Sequence, residues 1–488
     1  MADILFGQSY YLRFDPKLYA AMQPYPPLGT LYAAAYARAR GYDVAVFDAM
    51  LADSENDWAA ALDRARPRFA VLFEDNFNYL SKMCLLRMRE AACTMIDLAK
   101  ARGCTVILCG ADATDHADLY FARGADFVLI GEGEETLGEL LDYLTRHPEA
   151  GKLVSKDALA DMAGLAYKDA ASTIQRNPRR SDITRLDDLP FPAWDLIDVD
   201  KYRSIWLQRH GYFSMNMVTT RGCPFHCNWC AKPIWGQRYN SRSPENVAAE
   251  LRWLQETYRP DHIWFADDIF GLKPGWIEKF GQIVNADGTA LPFKCLSRAD
   301  LITPSVVAGL KQAGCQIVWM GAESGSQRIL DAMDKGTTVA QIYVARRLLG
   351  EAGIKVAFFL QFGYPGETRA DVELTLKMVR ETMPDDIGIS VSYPLPGTQF
   401  YERVKAQLGL KQNWTDSDDL AMLYQGPFPQ DFYRVLHRVV HGEFRLRKAW
   451  LALRRGSISA RRILSLPRHW LSWQINRRKL AQFAMRPQ

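Results

Sequence analysis

From residue 1 to about 145, short apolar runs alternate with amphipathic stretches, and the same rhythm restarts near residue 212. This doubled alternation constrains the fold more than any other feature, because repeated β–α units assemble into parallel sheets covered by helices. In the first half, Asp3-Ile-Leu-Phe6, Asp43-Val-Ala-Val-Phe47, Phe69-Ala-Val-Leu-Phe73, Thr105-Val-Ile-Leu-Cys109 and Phe127-Val-Leu-Ile130 read as five strands. Helical patterns near 28–40, 57–65, 81–102 and 134–146 lie between or after them. In the second half, strands are expected at 214–218, 262–265, 293–295, 316–320, 356–360 and 387–391. Six strands with intervening helices fit an open, partial (βα)6 barrel, whose active site lies at the carboxyl ends of the strands.

The chain divides accordingly. Residues 1–145 are expected to form a doubly wound parallel-sheet domain and residues 146–205 a linker with short strands around 165–167. Residues 206–405 read as the barrel and residues 406–488 as a mainly helical region. The whole 488-residue chain carries +4, but from Arg445 onward there are twelve Lys or Arg and no acid. The tail is therefore +12, which leaves the preceding 444 residues at −8. Met1-Ala-Asp-Ile-Leu-Phe6 lacks the basic start and apolar run of a secretory signal. No run of 18 apolar residues is present, so no membrane-spanning helix is expected. Nine cysteines, three of them clustered, do not make a disulfide framework, and a reducing, cytoplasmic setting fits them.

Those three cysteines carry the chemistry. Arg221-Gly-Cys-Pro-Phe-His-Cys-Asn-Trp-Cys230 spaces Cys223, Cys227 and Cys230 as C-x3-C-x2-C, directly after the first barrel strand. Thiolates are soft donors suited to iron–sulfur clusters. Three of them leave one iron of a 4Fe–4S cube open to chelate a small molecule. A zinc site is the alternative, with His226 in the loop as a fourth ligand.

The spacing and its position resemble the radical S-adenosylmethionine (SAM) superfamily, in which the open iron binds SAM and one electron yields a 5′-deoxyadenosyl radical. The resemblance implies roles in order along the barrel. Trp229 matches the aromatic packed near cluster and adenine, or is a plain core tryptophan. Asp267 and Asp268, after the second strand, match the partner of the SAM amino group, or form a solvated turn. Arg298 resembles the residue facing the SAM carboxylate, or pairs with Asp300. Glu323, in Gly321-Ala-Glu-Ser-Gly-Ser326, resembles a SAM-binding acid, or serves as a helix-start acid. Gln361 and Gly363, in Gln361-Phe-Gly-Tyr-Pro-Gly-Glu367, match the adenine-side turn, and Tyr393 opens the segment closing the sixth strand.

Residues 1–145 resemble the cobalamin-binding domain attached to many such enzymes. The matching positions all follow strands: Pro26 and Leu28 in Tyr25-Pro-Pro-Leu-Gly29, Asp48, Glu74, Asp75 and Asn76, Gly110 and Ala111, and Gly131, Gly133 and Glu134. Small residues there would let backbone approach a corrin or its nucleotide tail; the alternative is a domain that has lost its cofactor. The D-x-H-x-x-G lower-ligand motif is missing, since the first histidine is His116. Any cobalamin is expected without a histidine below the cobalt. The other cysteines, 84, 93, 104, 109, 295 and 315, read as buried structural thiols.

The resemblance implies three cofactors, a 4Fe–4S cluster, SAM and cobalamin, and an electron donor such as flavodoxin or ferredoxin. It implies methylation of an unactivated carbon in a small or lipid-like substrate. Ring formation or oxidation of the anaerobic porphyrin-cyclase type is the alternative, and an iron–sulfur or cobalamin sensor the non-enzyme one. The tail interleaves its basic residues with Trp450, Trp470 and Trp473, which suits either a solvated helical face or an anionic membrane surface. Nucleic acid is not expected, because no stacking or groove-reading motif accompanies the charge.

Overall fold

The computed structural model describes residues 2–147, 159–230, 234–456 and 460–483. Parts of the expected linker and of the basic tail lie outside these residues.

The first sheet contains β1 (Ile4–Gly7), β2 (Val44–Val46), β3 (Phe69–Phe73), β4 (Thr105–Cys109), β5 (Phe127–Leu129), β6 (Leu165–Lys168) and β7 (Ile174–Arg176). Their order across the sheet is β2-β1-β3-β4-β5-β6-β7. The direction of winding reverses between β1 and β3, where doubly wound sheets open a ligand crevice. Alternate side chains feed two separate cores. Leu5, Leu72, Val106 and Leu108 enter one, and Phe6, Phe69, Val71 and Phe73 the other. Each such fully buried side chain contributes about 1.5–3 kcal/mol relative to exposure.

The stretch expected as a linker does more than connect. β6 pairs antiparallel with β5, and β7 antiparallel with β6. The hairpin turns at Asp169, whose Oδ1 accepts from Ala171 N and Thr173 N at 2.9 Å. It covers an edge that a purely parallel sheet would leave open to pairing. The helix Val199–His210 is also packed rather than linking: Trp206 Nε1 donates to Pro24 O at 2.8 Å, and Tyr202 Oη to Asp48 at 2.7 Å.

The second sheet holds β8 (Ser214–Met217), β11 (His262–Phe265), β12 (Phe293–Ser297), β13 (Cys315–Glu323), β14 (Lys355–Phe362) and β15 (Asp386–Val391), all parallel and in chain order. This is the expected six-stranded partial barrel. A small ribbon of β9 (Thr220–Arg221) and β10 (Asn240–Ser241) brackets the cysteine loop. One core runs through both halves, joining Tyr25, Leu28 and Phe77 to Met215, Met217 and Phe265.

The carboxyl-terminal region is mainly helical, as expected, with one stretch that is not. Helices cover Gln430–Arg454 and Ala460–Phe483, but residues 408–429 carry none. Asn413-Trp-Thr-Asp-Ser-Asp-Asp419 bonds its own backbone instead: Asp416 accepts from Asp418 N at 2.9 Å and Asp419 from Ala421 N at 3.0 Å. The strap so formed returns to the first domain. Trp414 O accepts from Leu86 N at 2.7 Å, and Ser417 Oγ donates to Asp15 at 2.6 Å. Of the six cysteines outside the cluster motif five are buried, whereas Cys93 is partly exposed.

Candidate functional site

The cysteine loop leaves β8 at the carboxyl edge of the barrel and is held from every side. Upstream, Asp267 Oδ1 accepts from Thr219 N and Thr220 N at 2.7 Å and from Thr220 Oγ1 at 2.8 Å. Its Oδ2 takes Thr219 Oγ1 at 3.1 Å. Expected as a partner of the SAM amino group, Asp267 instead spends its oxygens fixing the entry to the loop. Burial raises its carboxyl to about 6, against the pull of these donors. Asp268 pairs with Lys82 of the first domain at 2.6 Å.

In mid-loop, Asn228 N donates to Met333 O at 3.0 Å and Asn228 Nδ2 to Ala332 O at 2.9 Å. Its Oδ1 accepts from Tyr364 Oη at 2.7 Å, and its carbonyl from Phe400 N at 2.9 Å. One residue thus ties the loop to segments following β13, β14 and β15. Neither Asn228 nor Tyr364 was singled out by sequence, although both sit inside the motifs that were.

Gly222, at φ +82°, lies against Arg238 O, and an added Cβ would come within 2.3 Å of it. Just before it, Arg221 crosses into the first domain. Its guanidinium donates to Glu132 at 2.6 Å and Glu134 at 2.7 Å, and lies 5.6 Å and 5.8 Å from the Tyr32 and Phe77 ring centroids. All three charged side chains are at least nine-tenths buried. Burial holds Glu134 above the ordinary carboxylate range even beside the arginine.

Toward the barrel axis, Arg298 makes the ion pair with Asp300 that was its alternative reading and adds two further contacts. It pairs with Asp300 at 3.0 Å, donates to Lys335 O at 2.7 Å, and places Nη1 3.6 Å from Cys227 Sγ. Its guanidinium stacks 3.6 Å from the Phe225 ring centroid. Glu323 adopts φ +55° and pairs with buried Lys335 at 2.9 Å. Burial alone would lower the Lys335 ammonium, but Glu323 and Cys227 outweigh it and raise it. The Lys335 ammonium lies 5.9 Å from the Trp229 ring, whose indole nitrogen is buried without a partner. Gln361 donates to Ser392 at 3.0 Å, Gly363 N to Glu367 at 2.7 Å, and Tyr393 packs edge-on against Trp414 at 4.8 Å. Burial lifts the Glu367 carboxyl to about 8.

In the first domain, the positions matched to corrin contacts are packed as follows. Glu74 accepts twice from Ser9 N at 3.1 Å, and its stem fills the space beside Gly110, where an added Cβ would lie 2.9 Å away. Ala111 is buried in the core behind it. Gly133, at φ +97°, is occluded by Cys109 Sγ and Phe73, and Gly131 by Arg179. Pro26 O accepts from Asn216 of the barrel at 2.9 Å, and Leu28 is fully buried. Asp48 caps the turn at Met50 and binds Tyr202; burial moves its carboxyl to about 6. Asp75 accepts from Gly29 N at 3.0 Å and Phe77 N at 3.2 Å, and Asn76 Oδ1 is buried without a donor. These positions mostly bind this chain's own backbone or close the gap between its halves. Open space remains over the loops after β1, β2 and β3, in adjoining cavities of about 530 and 200 Å³ that share Leu12 and Met50. Half of the Tyr79 side chain is also exposed, and burial and the Cys230 and Glu323 charges push its phenol up.

Among the described residues no three His, Cys, Asp or Glu side chains are grouped to hold one metal ion, as the zinc alternative requires. A 4Fe–4S cube binds its three thiolates at separate irons, and the donor set with Arg298 alongside fits it. Two opposed sheet edges, one carrying this loop, define a radical SAM enzyme with an amino-terminal B12-type domain. Family models agree: residues 217–379 match the Radical SAM superfamily and residues 20–141 the B12 binding domain. The chain belongs to the radical SAM enzymes that carry a cobalamin-binding domain, and its cofactors are the 4Fe–4S cluster, SAM and cobalamin of those two families.

An uncharacterised methyltransferase, PH0819, of Pyrococcus horikoshii is 29% identical over 396 residues, covering 80% of this chain and 81% of that protein. The anaerobic magnesium-protoporphyrin IX monomethyl ester cyclase of Rubrivivax gelatinosus is 25% identical over 392 residues, covering 78% and 66%. The solved structure of the radical SAM methyltransferase TsrM from Kitasatospora setae, with cobalamin and a 4Fe–4S cluster bound, superposes with a TM-score of 0.67 at 19% identity. It covers 83% of this chain and 78% of that one, and establishes a shared fold.

Proposed function

We propose that the protein is a methyltransferase that adds a methyl group to an unactivated carbon of a small or lipid-like molecule. The carrying observation is the opposition of the two carboxyl edges, with the cluster loop held by both through Arg221, Asn228 and Asp267. When bound, the cluster supplies the electron that cleaves SAM to a hydrogen-abstracting radical, and cobalamin supplies the methyl group. The chain's own residues do the positioning. Cys223, Cys227 and Cys230 would hold the cluster, Arg298 lies against Cys227, and the buried Glu323–Lys335 pair lies at the barrel mouth near Trp229. A continuous core joins the two halves beside the space they flank. The named activity of the Pyrococcus horikoshii relative supports the reading.

Ring formation or oxidation is the second reading, favoured by the similarity to the Rubrivivax gelatinosus cyclase. SAM carrying a labelled methyl group separates the two. Label in the product supports methylation; deoxyadenosine formation with an unlabelled product supports the second reading. An external electron donor of the flavodoxin or ferredoxin type fits either.

No described helix is long and apolar enough to cross a membrane. The carboxyl-terminal hairpin nevertheless leaves Trp450, Trp470 and Leu471 half exposed or more, while Trp473 packs inward on Gly442. With its +12 charge this face suits an anionic surface. Co-sedimentation with anionic vesicles should be lost without residues 445–488 and should fall between 0.1 and 1 M salt, as the Debye length drops from about 10 to about 3 Å. Salt-insensitive sedimentation would make the hairpin a solvated appendage.

A further inference from the structure

Asn216, Trp264 and Lys294 lie side by side across β8, β11 and β12, Trp264 in register with both neighbours. Side chains alternate along strands, so these three share one face. The neighbouring Met217, Phe265 and Cys295 enter the core on the other. The shared face lines the cavity of about 200 Å³ between the barrel and the loops after β1, β2 and β3.

Lys294 is the unusual member. Its ammonium lies 5.0 Å from the Tyr25 ring and 4.9 Å from the Trp264 ring. Among the described residues it donates no hydrogen bond and has no carboxylate within 4.0 Å. Two aromatic faces attract the charge, but by less than removing an ion from water costs. Burial accordingly lowers the ammonium to about 8, leaving it mainly charged at neutral pH. The other titratable groups do not answer it. Asp75 shares the cavity but turns its Oδ1 to Gly29 N and Phe77 N. His262 bonds Ser214 Oγ at 2.8 Å and is held neutral by burial and by Lys294. Tyr25 is buried and stays protonated. Asn216 adds a buried Oδ1 without a donor, its Nδ2 being committed to Pro26 O. The remaining walls are mainly apolar, including Leu12, Leu18, Met50 and Phe77, with Tyr10, Gln23 and Asn78 as their polar members.

We propose that this cavity is the subsite for the reacting molecule, and that it takes a small, largely apolar or aromatic anion whose negative charge pairs with Lys294. This rests on the radical SAM reading above and gives its substrate a chemical class. The cavity holds a ring-sized group and is too small for a corrin.

The test uses the enzyme loaded with cluster and cobalamin, and two isosteric probes, 2-naphthoate and 2-naphthamide, in calorimetric titrations. Naphthoate should bind roughly tenfold tighter or better, as a charge-assisted contact predicts. The preference should vanish in Lys294→Met. In the unmodified protein, which guards against a variant that fails to fold, it should fade as pH rises well above 8, because naphthoate stays ionised while the ammonium loses its proton. Equal affinities, no naphthoate binding, or a preference surviving Lys294→Met or high pH would overturn the assignment. So would naphthoate binding confined to cobalamin-free protein, which would give the cavity to the cofactor. Deoxyadenosine formation from SAM is followed in the same preparation: its absence removes the radical reading while leaving the naphthoate result standing, so the two failures are distinguishable.

Discussion

The two sheets turn their carboxyl edges toward each other and use them in opposite ways. In the barrel, segments after β8, β11, β13, β14 and β15 all bond to the single cysteine loop or its entry. In the first domain, the loops after β4 and β5 are packed with the chain's own side chains, Glu74 at Gly110 and Cys109 at Gly133. Glycine after a strand is thus not by itself an invitation to a ligand; it also makes room for a neighbour. Among the nominated first-domain acids, two reach outward: Glu134, with Glu132, takes Arg221, and Asp48 takes Tyr202 of the helix that leads into the barrel.

Four experiments break or sharpen this contrast. The largest effect belongs to the barrel edge: replacing Cys223, Cys227 and Cys230 with Ala should abolish both the iron–sulfur absorbance of reconstituted protein and deoxyadenosine formation. A triple variant that still cleaves SAM would remove the loop from the chemistry. Next is the bridge. Arg221→Met leaves two buried carboxylates without their cation and should destabilise the protein by about 3–5 kcal/mol in urea unfolding. Adding Glu132→Gln and Glu134→Gln should recover part of that loss, which a purely steric role for Arg221 would not allow.

Third, Asp48 tests whether the first domain's acids are structural. Its carboxyl is raised by burial from 3.8 to about 6, so the native state binds more protons than the unfolded state between those values. Its contribution to stability is therefore greatest near pH 4, declines as pH rises to about 6, and is constant above. Compared with Asp48→Asn, the wild type should lose at most about 3 kcal/mol across that window. A difference independent of pH would contradict the buried environment. Smallest is Lys82–Asp268, a partly exposed pair between the halves. Lys82→Met should cost no more than about 1 kcal/mol, less at high salt.

Much of this was legible in the chain. Strands such as Phe69–Phe73 are apolar on both faces and bounded by helical patterns, so the parallel sheets follow from periodicity. Local spacing gave the cysteine triad, because its residues lie within eight positions of one another. Partnerships across the chain did not show. Arg221 and Glu132 are 89 residues apart, and Asp267 and Thr220 are 47 apart, so only the folded topology brings them together. Asp267 was read from its place after β11 as facing a ligand, yet the nearest donors were the backbone amides of the adjacent strand end. Lys294 went unnoticed because a lysine in a short strand reads as an exposed one; its register with Trp264 and the arrival of Tyr25 enclose it.

The Arg221 bridge also bears on how the enzyme is made. Glu132 and Glu134 leave the ribosome before the cysteine loop is synthesised, and amino-terminal domains generally fold first. The acids are then already in place when Arg221 emerges, and the loop is drawn into its final course before it meets iron. A barrel expressed alone would present the same three thiols on a loop whose arginine has lost both counter-charges. Through those two carboxylates the first domain serves the barrel as an internal scaffold for the stretch that leads into its cysteine loop.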